Sequence, residues 1–167
     1  WSDDGKDLTF QLRRGVTWHD GKPFTAADVK CTFDLILETG KDRFRKNPRK
    51  GWYHNLMEVV PNGPMAVTFR LKRPQPAMLA LLASGDTPIY PCHVPQAQMR
   101  TKPIGTGPFM MAEFSQNEII RLVKNPHYWK PGRPYLDAIE MPIITNRSTA
   151  VLAFLAGKLD MTFPTEM

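Results

Sequence analysis

Four histidines, two cysteines and four serines are the residues of this chain best suited to reactive chemistry. His19, His54, His93 and His127 stand far apart, form no HxxxH pair, and touch a cysteine only in the adjacent Cys92-His93. That is not the spacing that closes a zinc site. Ser2, Ser84, Ser115 and Ser148 lie in no GxSxG elbow. Two carboxylates can meet anywhere in a fold, but nothing in the sequence points to a catalytic pair. Gly105-Thr106-Gly107-Pro108-Phe109 resembles a phosphate loop only superficially: it lacks GxxxxGK[ST] and leads into an expected strand, whereas a phosphate loop leads into a helix. It reads as a tight turn whose glycines allow positive φ or close backbone approach. Its N–H groups could also meet a ligand.

Cys31 and Cys92 can pair in one way or stay free, and neither sits in a CxxC motif. Cys31 falls within an expected helix and reads as a small buried hydrophobe, so the free form is favoured. The sequence leaves the pairing and the redox compartment undecided.

Trp52-Tyr53 follows a basic run. The decapeptide Lys41–Lys50 holds six bases and one acid, and so carries five of the six net positive charges. Aromatics beside bases suit stacking on a ligand, single-stranded nucleic acid included. They also suit packing of the loop onto the hairpin that follows, and packing is the favoured reading. Because the charge is confined to one loop-like segment with no recognition motif, a solvated loop is its first reading and a basic lip over an anionic partner its second, and a basic nucleic-acid-binding domain is kept as the alternative function.

These residues must be positioned by many short elements. The 167 residues are 42% hydrophobic and 23% charged, a globular composition. The 16 prolines are spread along the chain and argue against a helical bundle. No apolar run approaches the roughly 18 residues of a membrane span, and Trp1–Asp7 has no features of a signal peptide.

Leu8–Leu12 alternates as a half-buried strand. Asp20-Gly21 marks a turn. Thr25 and Asp28 start a helix with a capping box, Val29, Phe33 and Ile36 form its apolar stripe, and Gly40 stops it. Leu56–Val60 and Ala66–Leu71 form a hairpin around Pro61-Asn62-Gly63-Pro64. Ala77–Ala83 is a helix apolar all round and therefore buried. Residues 84–103 are mostly loop and hold a lobe boundary. Strands follow at Phe109–Phe114, Ile119–Val123 and Ala138–Ile144, with Trp129 between them as a satellite core residue. Thr149–Gly157 is a helix and Met161–Phe163 a last short strand. The class is α+β.

Four segments together resemble the family 5 extracellular solute-binding proteins of ABC transporters, the peptide-, dipeptide- and nickel-binding type. They are Leu8–Val29 with its Trp18-His19-Asp20-Gly21-Lys22-Pro23-Phe24-Thr25 core, Pro103–Phe109, Arg121–Trp129 with Asn125-Pro126-His127-Tyr128-Trp129, and the helix ending Phe154–Asp160. Their order and spacing agree over nearly the whole chain.

The resemblance implies a periplasmic-binding-protein-like fold of type II, three-subdomain class. It implies that the chain is a piece of a longer protein, with residues 1–101 an extra subdomain of the first lobe, 102–167 part of the main first-lobe domain, and the second lobe absent. It implies capture of a peptide or similar solute in the periplasm, or at the outer face of the cell membrane, and delivery to ABC permease subunits, without chemistry, cofactor, metal or nucleic acid. Ligand contacts are expected at Arg49, Trp52 and Tyr53, at Asp86 and Thr87, and at Gly105, Thr106 and Gly107. Half a cleft cannot enclose a ligand, so the piece alone is expected to bind weakly or not at all.

Overall fold

The computed structural model describes residues 1–40 and 47–163. Alternating apolar residues build a first antiparallel sheet from β1 (Asp7–Gln11), β2 (Leu56–Pro61) and β3 (Ala66–Leu71), in the order β1-β3-β2. Leu8 lies opposite Phe69, and Val59 opposite Phe69 on the other side. The β2–β3 turn uses Gly63 at φ +80°, a conformation glycine adopts without a Cβ penalty.

Helix α1 (Ala26–Leu37) covers this sheet. Its buried Ala26, Val29, Phe33 and Ile36 recur at helical spacing and meet Leu8, Val59, Val67, Phe69 and Leu71 in one core. Phe33 packs edge-on against Phe69, with centroids 4.9 Å apart, and against Tyr53 at 5.2 Å. Burying each such side chain contributes about 1.5–3 kcal/mol.

The second sheet has the order β4-β5-β6, from β4 (Phe109–Ser115), β5 (Ile119–Lys124) and β6 (Ala138–Pro142). Helix α3 (Arg147–Leu155) follows, with the N–H of Thr149 donating to Oδ1 of Asn146 at 3.0 Å.

Five expectations are corrected. Helix α1 ends at Leu37, before Gly40, because Glu38 takes the left-handed conformation at φ 60°. Helix α2 (Met78–Ala83) is not buried all round: Met78 is buried, while Leu79 is 45% exposed. Its apolar circumference exceeds the one face the core of residues 1–101 covers. Met161–Phe163 has no strand partner among the described residues and is not a strand. Gly105 and Gly107 are not among the glycines with positive φ.

The fifth correction concerns the cysteines. Cys31 and Cys92 form a disulfide, with Cα atoms 6.0 Å apart across a separation of 61 residues. Cys31 lies on a half-buried flank of α1 that faces the loop after α2, not in the core. Most of the basic run, Lys41–Lys46, lies outside the described residues.

Candidate functional site

Two groups of the expected ligand-contacting residues occupy separate places. The first is built where a 3-10 helix, Pro48–Tyr53, faces the loop after α2. Pro48 opens this helix at a position whose N–H would have no partner anyway. Its last residue, Tyr53, turns into the core, while Lys50 and Trp52 stay exposed.

Tyr53 is fully buried and belongs to the core. Its ring is not offered for stacking, and its hydroxyl hydrogen-bonds Oγ1 of Thr87 at 2.8 Å. Arg49 is half-buried, and its Nη1 donates to the hydroxyl of Tyr90 at 3.4 Å. Lys50 pairs with Glu38. Trp52 is 44% exposed. Asp86 is exposed at the loop's tip, its N–H bonded to the carbonyl of Ser84. Arg49, Tyr53, Thr87 and Tyr90 are thus one cross-tied unit, with Trp52 beside it.

The second group is the Gly105–Gly107 turn. The N–H of His19 donates to the Gly105 carbonyl at 2.9 Å, and the N–H of Gly105 donates to Nδ1 of His19 at 3.1 Å. Nδ1 being an acceptor, Nε2 carries the hydrogen and donates to the Gly107 carbonyl at 3.1 Å. Nδ2 of Asn125, a buried residue, donates to the same carbonyl at 3.0 Å. Thr106, between the two glycines, is half-buried. The polar groups of Gly105 and Gly107 are therefore largely engaged by the protein itself. Trp129, four residues after Asn125, stacks under the guanidinium of Arg13, 4.2 Å from ring to Cζ.

The positioning residues His19, Asn125 and Tyr90 were not read from the sequence as site residues. His19 and Asn125 do fall inside two of the motif segments, which is the signal that could have marked them.

Asp28 is a third organiser. Expected as a helix cap, it does close the capping box, its Oδ2 accepting from the N–H of Thr25 at 2.9 Å. The same carboxylate also accepts from Nε1 of Trp18 at 3.3 Å and from the N–H of Cys92 at 3.1 Å. Next to it, Nε2 of His93 lies 2.6 Å from Oδ2 of Asp20. Burial works to raise the pKa of Asp20, but the hydrogen bonds from His93 and from the N–H of Lys22, with the charges of both residues, outweigh it and hold the carboxyl below its usual range.

Cavities of about 490 Å³ open at two places among the described residues. One runs beside the disulfide under Leu35, Tyr90 and Met99, and the other lies among Phe109, Tyr128, Arg133 and Tyr135. None of the eight expected contact residues lines either. Among the described residues no cluster of His, Cys, Asp and Glu could hold a metal ion.

The chain is similar to known proteins over nearly its whole length. The chain is 32% identical over 169 residues to the glutathione-binding protein GsiB of Salmonella choleraesuis (strain SC-B67), covering 98% of this chain and 32% of that protein. The oligopeptide-binding protein AppA of Bacillus subtilis, solved with a nonapeptide, superposes with a TM-score of 0.81 at 34% identity, over 95% of this chain and 32% of AppA. MoaA of A. tumefacien R10, solved with mannopinic acid, superposes with a TM-score of 0.85 at 28% identity, over 95% of this chain and 32% of MoaA. The chain thus spans about a third of the length of the relatives it matches, and its fold is that of type II periplasmic binding proteins. The model for bacterial extracellular solute-binding proteins, family 5 (Middle), matches residues 1–166, and the chain belongs to that family.

Proposed function

We propose that this chain is part of the solute-capturing component of an ABC importer. It takes up a peptide or peptide-like solute outside the cell membrane, in the periplasm, and the loaded receptor docks on the permease. The observation that carries this reading is the match over nearly the whole chain to proteins named for the solutes they bind. Function of this kind is capture without bond making. Lobes closing on a solute shift a population toward the closed form by differential affinity.

The two three-stranded sheets support a division into an extra subdomain, 1–101, and part of the main first-lobe domain, 102–167. The contact surface on this lobe is Arg49, Trp52 and Thr87, with Asp86 at the rim and Gly105–Gly107 as a second edge. Tyr53 serves it from beneath by fixing Thr87.

Thermal unfolding of the protein at its full natural length tests the proposal. Short peptides, glutathione, sugar-derived acids and metal chelates are added in turn. A ligand that binds only the folded state raises the midpoint by mass action. A rise with peptides or glutathione is expected. A rise with chelates alone reassigns the solute, and no rise with any of them counts against the reading.

A further inference from the structure

Resting on the solute-capture reading, we propose that the Cys31–Cys92 disulfide is a redox-sensitive clamp on the loop that carries Thr87. A thiol entering the cavity beside it opens the bond, loosens the loop and lowers the affinity for solute.

The loop after α2, residues 84–103, is regular only in the 3-10 turn Gln98–Arg100. Its position is set by what it touches, since it has no ladder of its own. At one end Thr87 meets the hydroxyl of Tyr53. A few residues on, three ties to α1 follow in close succession. The N–H of Tyr90 donates to Oγ1 of Thr32 at 2.8 Å, and the N–H of Cys92 donates to Oδ1 of Asp28 at 3.1 Å. The third tie is the disulfide to Cys31. Asp28 and Thr32 are four residues apart and so share one face of the helix, with Cys31 on the flank beside Thr32. Water can replace either hydrogen bond when the loop lifts, so those ties are worth little against opening. The covalent tie cannot be exchanged in that way. One residue beyond it, His93 meets Asp20, which keeps the far side in place and directs any loosening toward Thr87.

The bond is also accessible. Cys92 is exposed and Cys31 half-buried. Both line the cavity of about 490 Å³ that they share with Tyr90, Met99 and Arg100, a size that admits a small molecule. Arg100 brings a cation to this cavity, and a cation favours the thiolate, which is the attacking form of a thiol. The thiolate sulfur bonds to Sγ of the exposed Cys92 as the Cys31–Cys92 bond breaks. The electron pair leaves on Sγ of Cys31, which takes up a proton. A second thiol then displaces Cys92 from the mixed disulfide. Two thiols are thereby oxidised to one disulfide, and Cys31 and Cys92 are reduced to thiols.

The test uses the protein at full natural length. Trialanine and S-methylglutathione, which carry no thiol, are titrated by calorimetry well below the unfolding midpoint of every form. The forms are oxidised wild type, wild type reduced with dithiothreitol, the same sample reoxidised, and the double variant Cys31→Ser/Cys92→Ser with and without dithiothreitol. Oxidised wild type is expected to bind at least one probe, and reduction should weaken it about fivefold or more, the lower end of coupling between two sites. Reoxidation should restore the affinity. The double variant should match the reduced form and ignore dithiothreitol. Amide exchange at Thr87 and Tyr90 should accelerate on reduction while the centre of β3 stays protected, a local opening that a crosslink of purely structural effect would not produce. If the double variant does not fold, the reversible reduction of wild type carries the test. Unchanged affinity in the reduced form overturns the clamp and leaves solute capture standing. So does a disulfide that a thiol assay finds closed in the native protein under excess dithiothreitol, and so does a redox response that persists in the double variant. No binding of either probe by oxidised wild type overturns both readings.

Discussion

His19 and Gly105, 86 residues apart, exchange two hydrogen bonds: the N–H of His19 donates to the Gly105 carbonyl at 2.9 Å, and the N–H of Gly105 donates to Nδ1 of His19 at 3.1 Å. One residue belongs to the turn that follows β1, the other to the turn that leads into β4. The pair therefore fastens the part of the chain built on the first sheet to the part built on the second. Arg13 over Trp129 is a second tie between the same two parts.

Replacing His19 by Ala leaves the N–H of Gly105 without its acceptor, while the Gly107 carbonyl keeps Asn125. The expected cost is about 1–3 kcal/mol, with the midpoint falling about 2–4 °C per kcal/mol in a chain of this size. Hydrogen exchange at the Gly105 amide should accelerate more than exchange in the centre of β3. An unchanged midpoint with a protected Gly105 amide would show that the two turns are held by other contacts.

Asp28 is 5% exposed and accepts hydrogen bonds from Trp18, Thr25 and the Cys92 backbone. Asp28→Ala strands these donors and removes the capping box, and should destabilise by about 2–4 kcal/mol. Asp28→Asn keeps one acceptor oxygen and should cost less. Urea unfolding of both variants checks the order, and Asn costing as much as Ala would remove the acceptor argument.

The Cys31–Cys92 disulfide closes a loop spanning 61 residues of sequence. Chain-entropy reasoning gives its loss about 4 kcal/mol. A double Cys→Ala variant, or wild type in a thiol reductant, should unfold at clearly lower denaturant. If reductant leaves the wild-type midpoint in place while a thiol assay confirms reduction, the crosslink contributes nothing.

Asp20 supplies a pH dependence whose sign can be stated. Its folded pKa lies below the ordinary 3.8. The stabilisation from its bonds to His93 and Lys22 is thus complete above the unfolded pKa and disappears as pH falls through the folded one. Midpoints measured between about pH 2 and 6 should drop less steeply for Asp20→Asn than for wild type. Parallel curves would assign the acid limb to other carboxylates.

Much of the architecture is legible locally. The alternation in Leu8–Leu12 and Ala66–Leu71, the stripe of Val29, Phe33 and Ile36, and the cap formed by Thr25 and Asp28 each follow from periodicity or from hydrogen bonds within a few residues. The four motif segments suffice to place the chain in its family. Local reasoning stops where a residue's partner is distant. For Tyr53 the sequence favours packing over stacking but names no partner, and it is Phe33, twenty positions earlier, that meets its ring in the core. Cys31 reads as an isolated thiol in a helix, and only the return of the chain past α1 brings Cys92 to it. Helix α2 reads as buried because its apolar residues go all round, but burial depends on how much neighbouring surface is present, and only Met78 is fully buried, with Leu81 and Leu82 partly so.

What the sequence determined by itself, then, is the elements, their order and the family, since those rest on contacts within a turn, a hairpin or a helix. What only the tertiary structure decided is which side chains are spent on the fold and which keep unused donors or surface. Tyr53 is consumed by the core and by Thr87, Lys50 by Glu38, and the amide of Gly105 by His19, while Arg49 and Trp52 keep unspent donors and surface. That distinction is set by long-range packing, because a polar group is available to a ligand only where no distant part of the same chain has already satisfied it.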